Sequence, residues 1–356
     1  MDVHRTIAEW SAAGRAFAVA VILQAQGSTP RKAGVKAVLD PAGHITGTIG
    51  GGSVEAATQA HAVEAIQSGL PLVLNFALEG QDAADEDAIC GGTMRILIDP
   101  TATKDRLAYA RAAGDRERRE PGVLLTTVRG TSPAVVAVEW LPGDAIAADA
   151  GFPGGEAMRA CLATETPRLF VDDRQQGGTQ AEVLVEPIVP QPRLIIVGGG
   201  HVGQALARQA SLLGFDISVI DDRPEFASLA LFPQGTTTRC GDIGTEVAAF
   251  PIDQSTFVVV VTRGHQHDAT ALAACIHKPA AYLGMIGSRR KVALLRKDFL
   301  DSGRATTSEW DRVCAPIGLD IGAVTVPEIA TSIAAQLVAI RRKRGPSATP
   351  GDLPDR

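Results

Sequence analysis

The chain has 356 residues, long for one hydrophobic core, so two domains are expected. A formal net charge of −6 with only 4% aromatic residues argues against the basic, ring-rich surface of a nucleic-acid binder and against an anionic membrane as partner. Five scattered cysteines make no disulfide framework and no apolar run approaches membrane-spanning length, so the expected setting is the reducing cytoplasm.

In chain order, a helix is predicted over residues 3–13, a strand over 16–24, a turn through 27–34 and a strand over 36–40. A turn at 41–43 leads to a glycine loop, 47–52, and then to a helix over 54–67, with Ser53 as its N-cap and Gly69 as its stop. Strands 72–77 and 94–98 flank an acidic loop, 79–87, that runs into Cys90, Gly91 and Gly92. Alternating β-branched residues on either side of 130–133 predict a hairpin over 123–140, and the Pro/Gly-rich stretch 142–155 reads as a loop. A strand over 182–186 meets Pro187, Pro190 and Pro192, which read as a short, stiff boundary.

The segment RLIIVGGGHVG (193–203) carries the most informative local signal: an apolar strand running into Gly198, Gly200 and Gly203 at G-x-G-x-x-G spacing. Bare glycines between a strand and a helix let a ligand phosphate reach backbone N–H groups at the positive end of that helix. A helix over 202–213 follows, Gly214 stops it, and a strand over 217–220 ends on Asp221, where dinucleotide folds place a ribose-binding acid. Strands 236–240, 256–262 and 280–286 alternate with helices 268–277, 289–300 and 327–342, the pattern of a doubly wound parallel sheet. The expected division is therefore an N-terminal mixed α/β domain over 1–188 and a C-terminal Rossmann-like domain over 193–344, with 345–356 a disordered tail.

Several side chains in these loops are candidates for chemistry. The amides of Gly50, Gly51 and Gly52 precede a helix and can converge on an anion, with Arg31 adding a planar cation; alternatively the glycines serve packing and Glu55 makes a first-turn contact. Cys90 precedes two glycines, a setting for an approachable thiolate, against the commoner fate of a buried, inert thiol. Cys161, Cys240, Cys275 and Cys314 read as core. His201 faces either ligand phosphate or solvent, and Arg223 either pairs with Asp221 or reaches a phosphate. His265, His267 and Asp268 offer metal ligation, loop capping or cofactor contact, although a closed zinc site needs about four ligands and no matching pair exists. Arg289, Arg290 and Lys291 form either a second anion-facing helix start or a solvated face.

Eight segments taken together resemble the XdhC/CoxI family of accessory proteins for molybdenum hydroxylases such as xanthine dehydrogenase. They are GSTPRKAG (27–34), GTIGGGSVE (47–55), CGG (90–92), VEPIVPQPRLIIVGGGHVG (185–203), VIDDRPEF (219–226), TRGHQHD (262–268), YLGMIGSRRK (282–291) and PIGLDIGAVTVPEIATSI (316–333). Ala37 departs from the pattern, which usually has Met there. The resemblance implies a chaperone that binds molybdenum cofactor, holds it through sulfuration and passes it to an apo molybdenum hydroxylase. It also implies a cysteine desulfurase partner, and it leaves open a homodimer, the molybdopterin or dinucleotide form of the cofactor, and NAD(P) at the Rossmann site.

The cofactor-binding set expected on this reading is Arg31, Gly50, Gly51, Gly52, Glu55, Cys90, Gly198, Gly200, His201, Gly203, Asp221, Arg223 and His265, with Cys90 as a soft sulfur contact to molybdenum. The competing reading is an NAD(P)-dependent oxidoreductase using the C-terminal domain alone, with His265 or His267 as acid/base. Such an enzyme has no need of Arg31, GTIGGG and CGG in a separate domain, and no proton-donor constellation stands out.

Overall fold

The computed structural model describes residues 3–78, 92–148, 155–172 and 180–342, which fall into two compact units, Met1–Pro190 and Gln191–Arg356. The first unit runs α1 (Val3–Ala12), β1 (Ala18–Gly27), β2 (Lys36–Leu39), β3 (Ile45–Gly47), α2 (Gly52–Ser68), β4 (Leu72–Ala77) and β5 (Gly92–Asp99). It continues with α3 (Arg106–Glu117), β6 (Gly122–Arg129), β7 (Val135–Pro142), α4 (Gly143–Ala148), α5 (Gly155–Thr164), β8 (Arg168–Asp172) and β9 (Ala181–Ile188). The strands form two antiparallel sheets, ordered β3-β2-β1-β5-β4 and β7-β6-β9-β8.

The apolar run of β1 is buried on both faces, which is why it reads as continuous rather than alternating. Val19, Val21 and Leu23 pack with Ile7, Tyr109, Leu124 and Leu184 between the sheets, while Ala18, Ala20 and Ile22 meet Val54, Ala62 and Ala65 of α2. On the outer face of the second sheet, Val123 and Val185 pack with Ile146, Met158 and Cys161 of α4 and α5.

Three local expectations need correction here. Helix α2 starts at Gly52 with Gly51 as N-cap and no side-chain cap, so Ser53 does not cap it; Gly69, at φ 71°, does end it in the left-handed region. The stretch 142–155 is not one loop, because β7 reaches Pro142 and α4 follows at once, anchored by buried Ile146. Nor does Pro187 end its strand: it pairs with Val123 of β6, and β8 pairs no further along β9 than Val185, so the missing N–H costs no ladder bond on that side. The expected series lacks α3 and α5, of which α3 buries Tyr109, Ala112 and Ala113 and α5 buries Met158 and Cys161.

The second unit comprises β10 (Arg193–Val197), α6 (His201–Leu212), β11 (Asp216–Asp221), β12 (Thr237–Cys240), α7 (Ile243–Ala249), β13 (Thr256–Val260), α8 (His265–Cys275) and β14 (Tyr282–Met285). α9 (Arg289–Asp301), α10 (Thr307–Asp311), β15 (Val313–Cys314) and α11 (Val326–Arg342) complete it. Its six strands are parallel and ordered β12-β11-β10-β13-β14-β15. Leu206, Ile333 and Leu337 of α6 and α11 cover one face, and Val247, Leu272 and Phe299 of α7, α8 and α9 cover the other. The expected α/β class, a Rossmann-like doubly wound sheet after a mixed α/β domain, is what the structure shows. The strand order reverses between β10 and β13, and a doubly wound sheet takes its ligand at the carboxyl ends of the strands beside such a reversal. Among the described residues, no helix is long and apolar enough to cross a membrane.

Candidate functional site

In the first unit, the turn that carries Arg31, the 47–52 loop and Gly92 meet at one end of the first sheet. A Cβ built on Gly50 would lie 2.8 Å from Cγ of Pro30 and 3.8 Å from Cγ of Arg31, so the 47–52 loop sits directly against the turn that carries Arg31. A Cβ on Gly92 would come within 2.6 Å of the Gln26 carbonyl and 2.8 Å of the Ser28 carbonyl, so Gly92 is held against the end of β1 where that turn begins. Gly92 also pairs with Gly27 across β1 and β5. Arg31 is exposed, its Nη1 donating to the Pro30 carbonyl at 3.3 Å. Cys90 and Gly91 lie outside the described residues, as does the tail after 342.

The loop amides are not all available to a ligand. One oxygen of Glu55 accepts from the Thr48 hydroxyl at 2.7 Å, the Ile49 N–H at 3.1 Å and the Gly51 N–H at 3.2 Å, while the Gly50 N–H donates to the Thr48 hydroxyl at 3.1 Å. Burial pushes the Glu55 carboxyl up, but these donors pull it further down, and it sits below its ordinary value. The chain's own carboxylate thus occupies much of the anion nest and fixes the loop. The space beside Gly51 and Gly52 stays open, with no atom within 4 Å of a Cβ added to either.

In the second unit the glycines divide by role. A Cβ on Gly198 would meet the Val261 carbonyl at 2.5 Å, and one on Gly203 the Gly198 carbonyl at 2.0 Å, so both are needed for packing. Gly200 is the N-cap of α6, has no side-chain cap, and a Cβ there would meet nothing within 4 Å. It is therefore the glycine that leaves room for a ligand against the helix start, where His201 is exposed. Gly264, the N-cap of α8 at the end of the adjacent strand, is equally open and uncapped.

Asp221 ends β11, is 2% exposed, and accepts the Gly199 N–H at 2.8 Å and the backbone, Nε and Nη2 of Arg223 at 3.0, 2.9 and 3.1 Å. Burial raises its carboxyl, but the Arg223 guanidinium and the two amides more than offset that, leaving it below the ordinary carboxylate value. Asp268 is wholly buried, accepts the Thr262 hydroxyl at 2.5 Å and pairs with Lys291, tying the starts of α8 and α9 together.

Lys291 is thus a structural cation, whereas Arg289 and Arg290 are exposed. His265 and His267 lie exposed in the first turn of α8 rather than before it, and no group of three metal-ligating side chains exists among the described residues. Cys161, Cys275 and Cys314 are buried as expected, and burial pushes the Cys275 thiol up to about 12. Cys240 is exposed instead, because it ends β12, the edge strand that pairs only with β11. Sequence reading missed Thr48, which is half of the Glu55 device; its one signal is a hydroxyl two residues before a glycine run.

A doubly wound unit with an open glycine at the strand-to-helix turn defines a Rossmann-type ligand-binding domain. The comparisons agree: residues 194–337 match the XdhC Rossmann domain and residues 10–77 match the XdhC and CoxI family. The chain belongs to that family. Among relatives, the uncharacterized protein YqeB of Escherichia coli is 29% identical over 91% of this chain, which spans only 43% of YqeB's length. The molybdenum cofactor insertion chaperone PaoD of Escherichia coli is 22% identical over 96% of this chain and 89% of its own. A crystal structure described as a xanthine dehydrogenase from Bacillus halodurans superposes with a TM-score of 0.75, at 24% identity and 98% coverage of both chains, a likeness of fold.

Proposed function

We propose that this chain is an accessory protein in the maturation of molybdenum hydroxylases. It binds molybdenum cofactor as cargo, holds it while a cysteine desulfurase supplies sulfur, and delivers it to an apo hydroxylase such as xanthine dehydrogenase. The observation that carries this reading is the meeting of the Arg31 turn, the 47–55 loop and Gly92 at one end of a sheet outside the Rossmann unit. A dehydrogenase has no use for such an assembly. Family membership and the name of the relative PaoD point the same way. On this reading Arg31 supplies a charge-assisted contact to the cargo, Glu55 holds the glycine loop in shape, and Cys90, two residues before Gly92 in the chain, offers sulfur to molybdenum.

The test is equilibrium binding of released cofactor to the purified full chain. Saturable binding close to one per chain is expected, weakened about tenfold or more by Arg31→Ala, the loss of one hydrogen bond to a charged group. Cys90→Ser is expected to fold normally and to retain and transfer less cofactor. Steady-state oxidation of a hydroxy acid with NAD, with no pterin bound, would overturn the proposal in favour of the oxidoreductase.

A further inference from the structure

The end of β11 is built differently from a ribose-binding site. A carboxylate there accepts ribose hydroxyls in dinucleotide-binding folds, and it has about four lone-pair positions to do so. In Asp221 each oxygen already takes two donors: Oδ1 the backbone N–H and Nε of Arg223, Oδ2 the Gly199 N–H and Nη2 of Arg223. At 2% exposure and with those four donors in place it has no free acceptor position, so a vicinal diol would find no partner on it.

What this wall presents instead is Arg223. Its guanidinium is clamped along one edge by Asp221 and stacked 3.8 Å above the Phe226 ring, which fixes its plane, and its side chain is 24% exposed. Nη1 has no acceptor among the described residues, so at least its two N–H groups point away from the clamp. A small cleft opens there, lined by Asp221, Asp222, Arg223, Ile243, Thr262, Arg263 and His267. The titratable groups around it are Arg223, Arg263 and His267 against Asp222, which is 42% exposed and 3.8 Å from Nε of Arg223, with Glu225 close enough to act on Arg223 and Asp242 on His267.

We infer that the Rossmann unit recognises its ligand through a phosphate monoester seated on Arg223, and not through a ribose diol seated on Asp221. A dianionic group with three free oxygens matches a planar fork with spare donors beside a second arginine, and a phosphodiester, with one charge and two free oxygens, matches it less well. The monoester has two sources, of which only the second rests on the proposed function: the 2′-phosphate of a phosphorylated dinucleotide, or the terminal phosphate of a pterin monophosphate such as molybdopterin.

Titration of the full chain with NAD, NADP and released molybdopterin, each with and without competing inorganic phosphate, separates the sources. Binding of NADP about ten- to hundredfold tighter than NAD identifies the dinucleotide, and molybdopterin binding that inorganic phosphate competes away identifies the pterin. In either case Arg223→Ala should erase the preference, and Arg223→Lys, which keeps the charge but loses the fork, should restore it only in part. If Arg223→Ala disturbs folding by leaving Asp221 unpaired, Arg263→Ala, on the exposed side of the cleft, should weaken the same binding. NAD binding as tightly as NADP together with no phosphate-competed molybdopterin binding, or affinities unmoved by Arg223→Lys and Arg263→Ala, would overturn the inference. Cofactor binding that fails with Arg31→Ala but survives both of those changes would overturn it while leaving the proposed function standing.

Discussion

The two glycine loops of this chain are alike in composition and opposite in construction. In the first unit the acid follows the loop, on the helix that the loop opens, and folds back so that Glu55 takes the Thr48, Ile49 and Gly51 donors for itself. In the second unit the acid comes from a neighbouring strand and lies behind the loop, where Asp221 takes the Gly199 amide and leaves Gly200 open in front. Glycines before a helix therefore supply donors, but the position of the nearest carboxylate decides whether a ligand can use them.

The sharpest way to break that comparison is to add methyl groups. Gly203→Ala places a Cβ 2.0 Å from a backbone carbonyl and should cost about 3 kcal/mol or more, the upper end of overpacking. Gly200→Ala adds the same atom to open space at an ordinary φ of −68° and should leave the melting temperature within the range of a surface substitution, about 0.5 kcal/mol. Gly52→Ala in the first loop is also open but sits at φ +61°, so a cost of about 1–2 kcal/mol is expected from the backbone alone. Equal melting shifts for Gly200→Ala and Gly203→Ala would remove the division of roles drawn within the second loop.

Removing the acids gives a smaller contrast. Asp221→Ala strands a buried amide and the Arg223 guanidinium, and should destabilise the second unit by about 1–3 kcal/mol. Glu55→Ala unpairs the Ile49 and Gly51 amides at a part-buried site, so about 1 kcal/mol is expected, together with faster hydrogen exchange at Ile49 and Gly51. Unchanged exchange at those two amides would show that the loop does not depend on its internal carboxylate.

The smallest effect is one of pH. Asp221 has a folded value below its ordinary 3.8, so the stability it contributes is present above 3.8 and is lost as the pH falls through the lower folded value. Asp99, buried in the first unit, is shifted the other way, chiefly by burial, so its contribution is complete below 3.8 and is lost as the pH rises through the higher folded value. Unit-resolved hydrogen exchange between about pH 6 and pH 3 should therefore show the second unit losing protection while Asp99 favours the first. Asp221→Asn should flatten the slope of the second unit, and a slope that survives the substitution would assign it to another group.

The sequence by itself determined the elements whose signal is local. The run RLIIVGGGHVG and the β–α alternation after it dictate a doubly wound sheet, because parallel strands buried on both faces must be continuously apolar and their helices must cover them. Gly69 ends α2 because a left-handed residue there favours glycine. Tertiary structure alone decided where the charges went. Lys36 stands in the apolar strand KAVL and forms a buried ion pair with Glu186, 150 residues away in the other sheet of its unit, and nothing near either residue announces the other. Lys291 likewise reads as one of three helix-start cations until Asp268 claims it, and Asp221 reads as a ribose acid until Gly199 and Arg223 fill its oxygens. A hydrophobic pattern repeats along the chain and is legible in it, whereas a carboxylate's partners are set by distances of a few ångströms between segments that the chain order does not bring together.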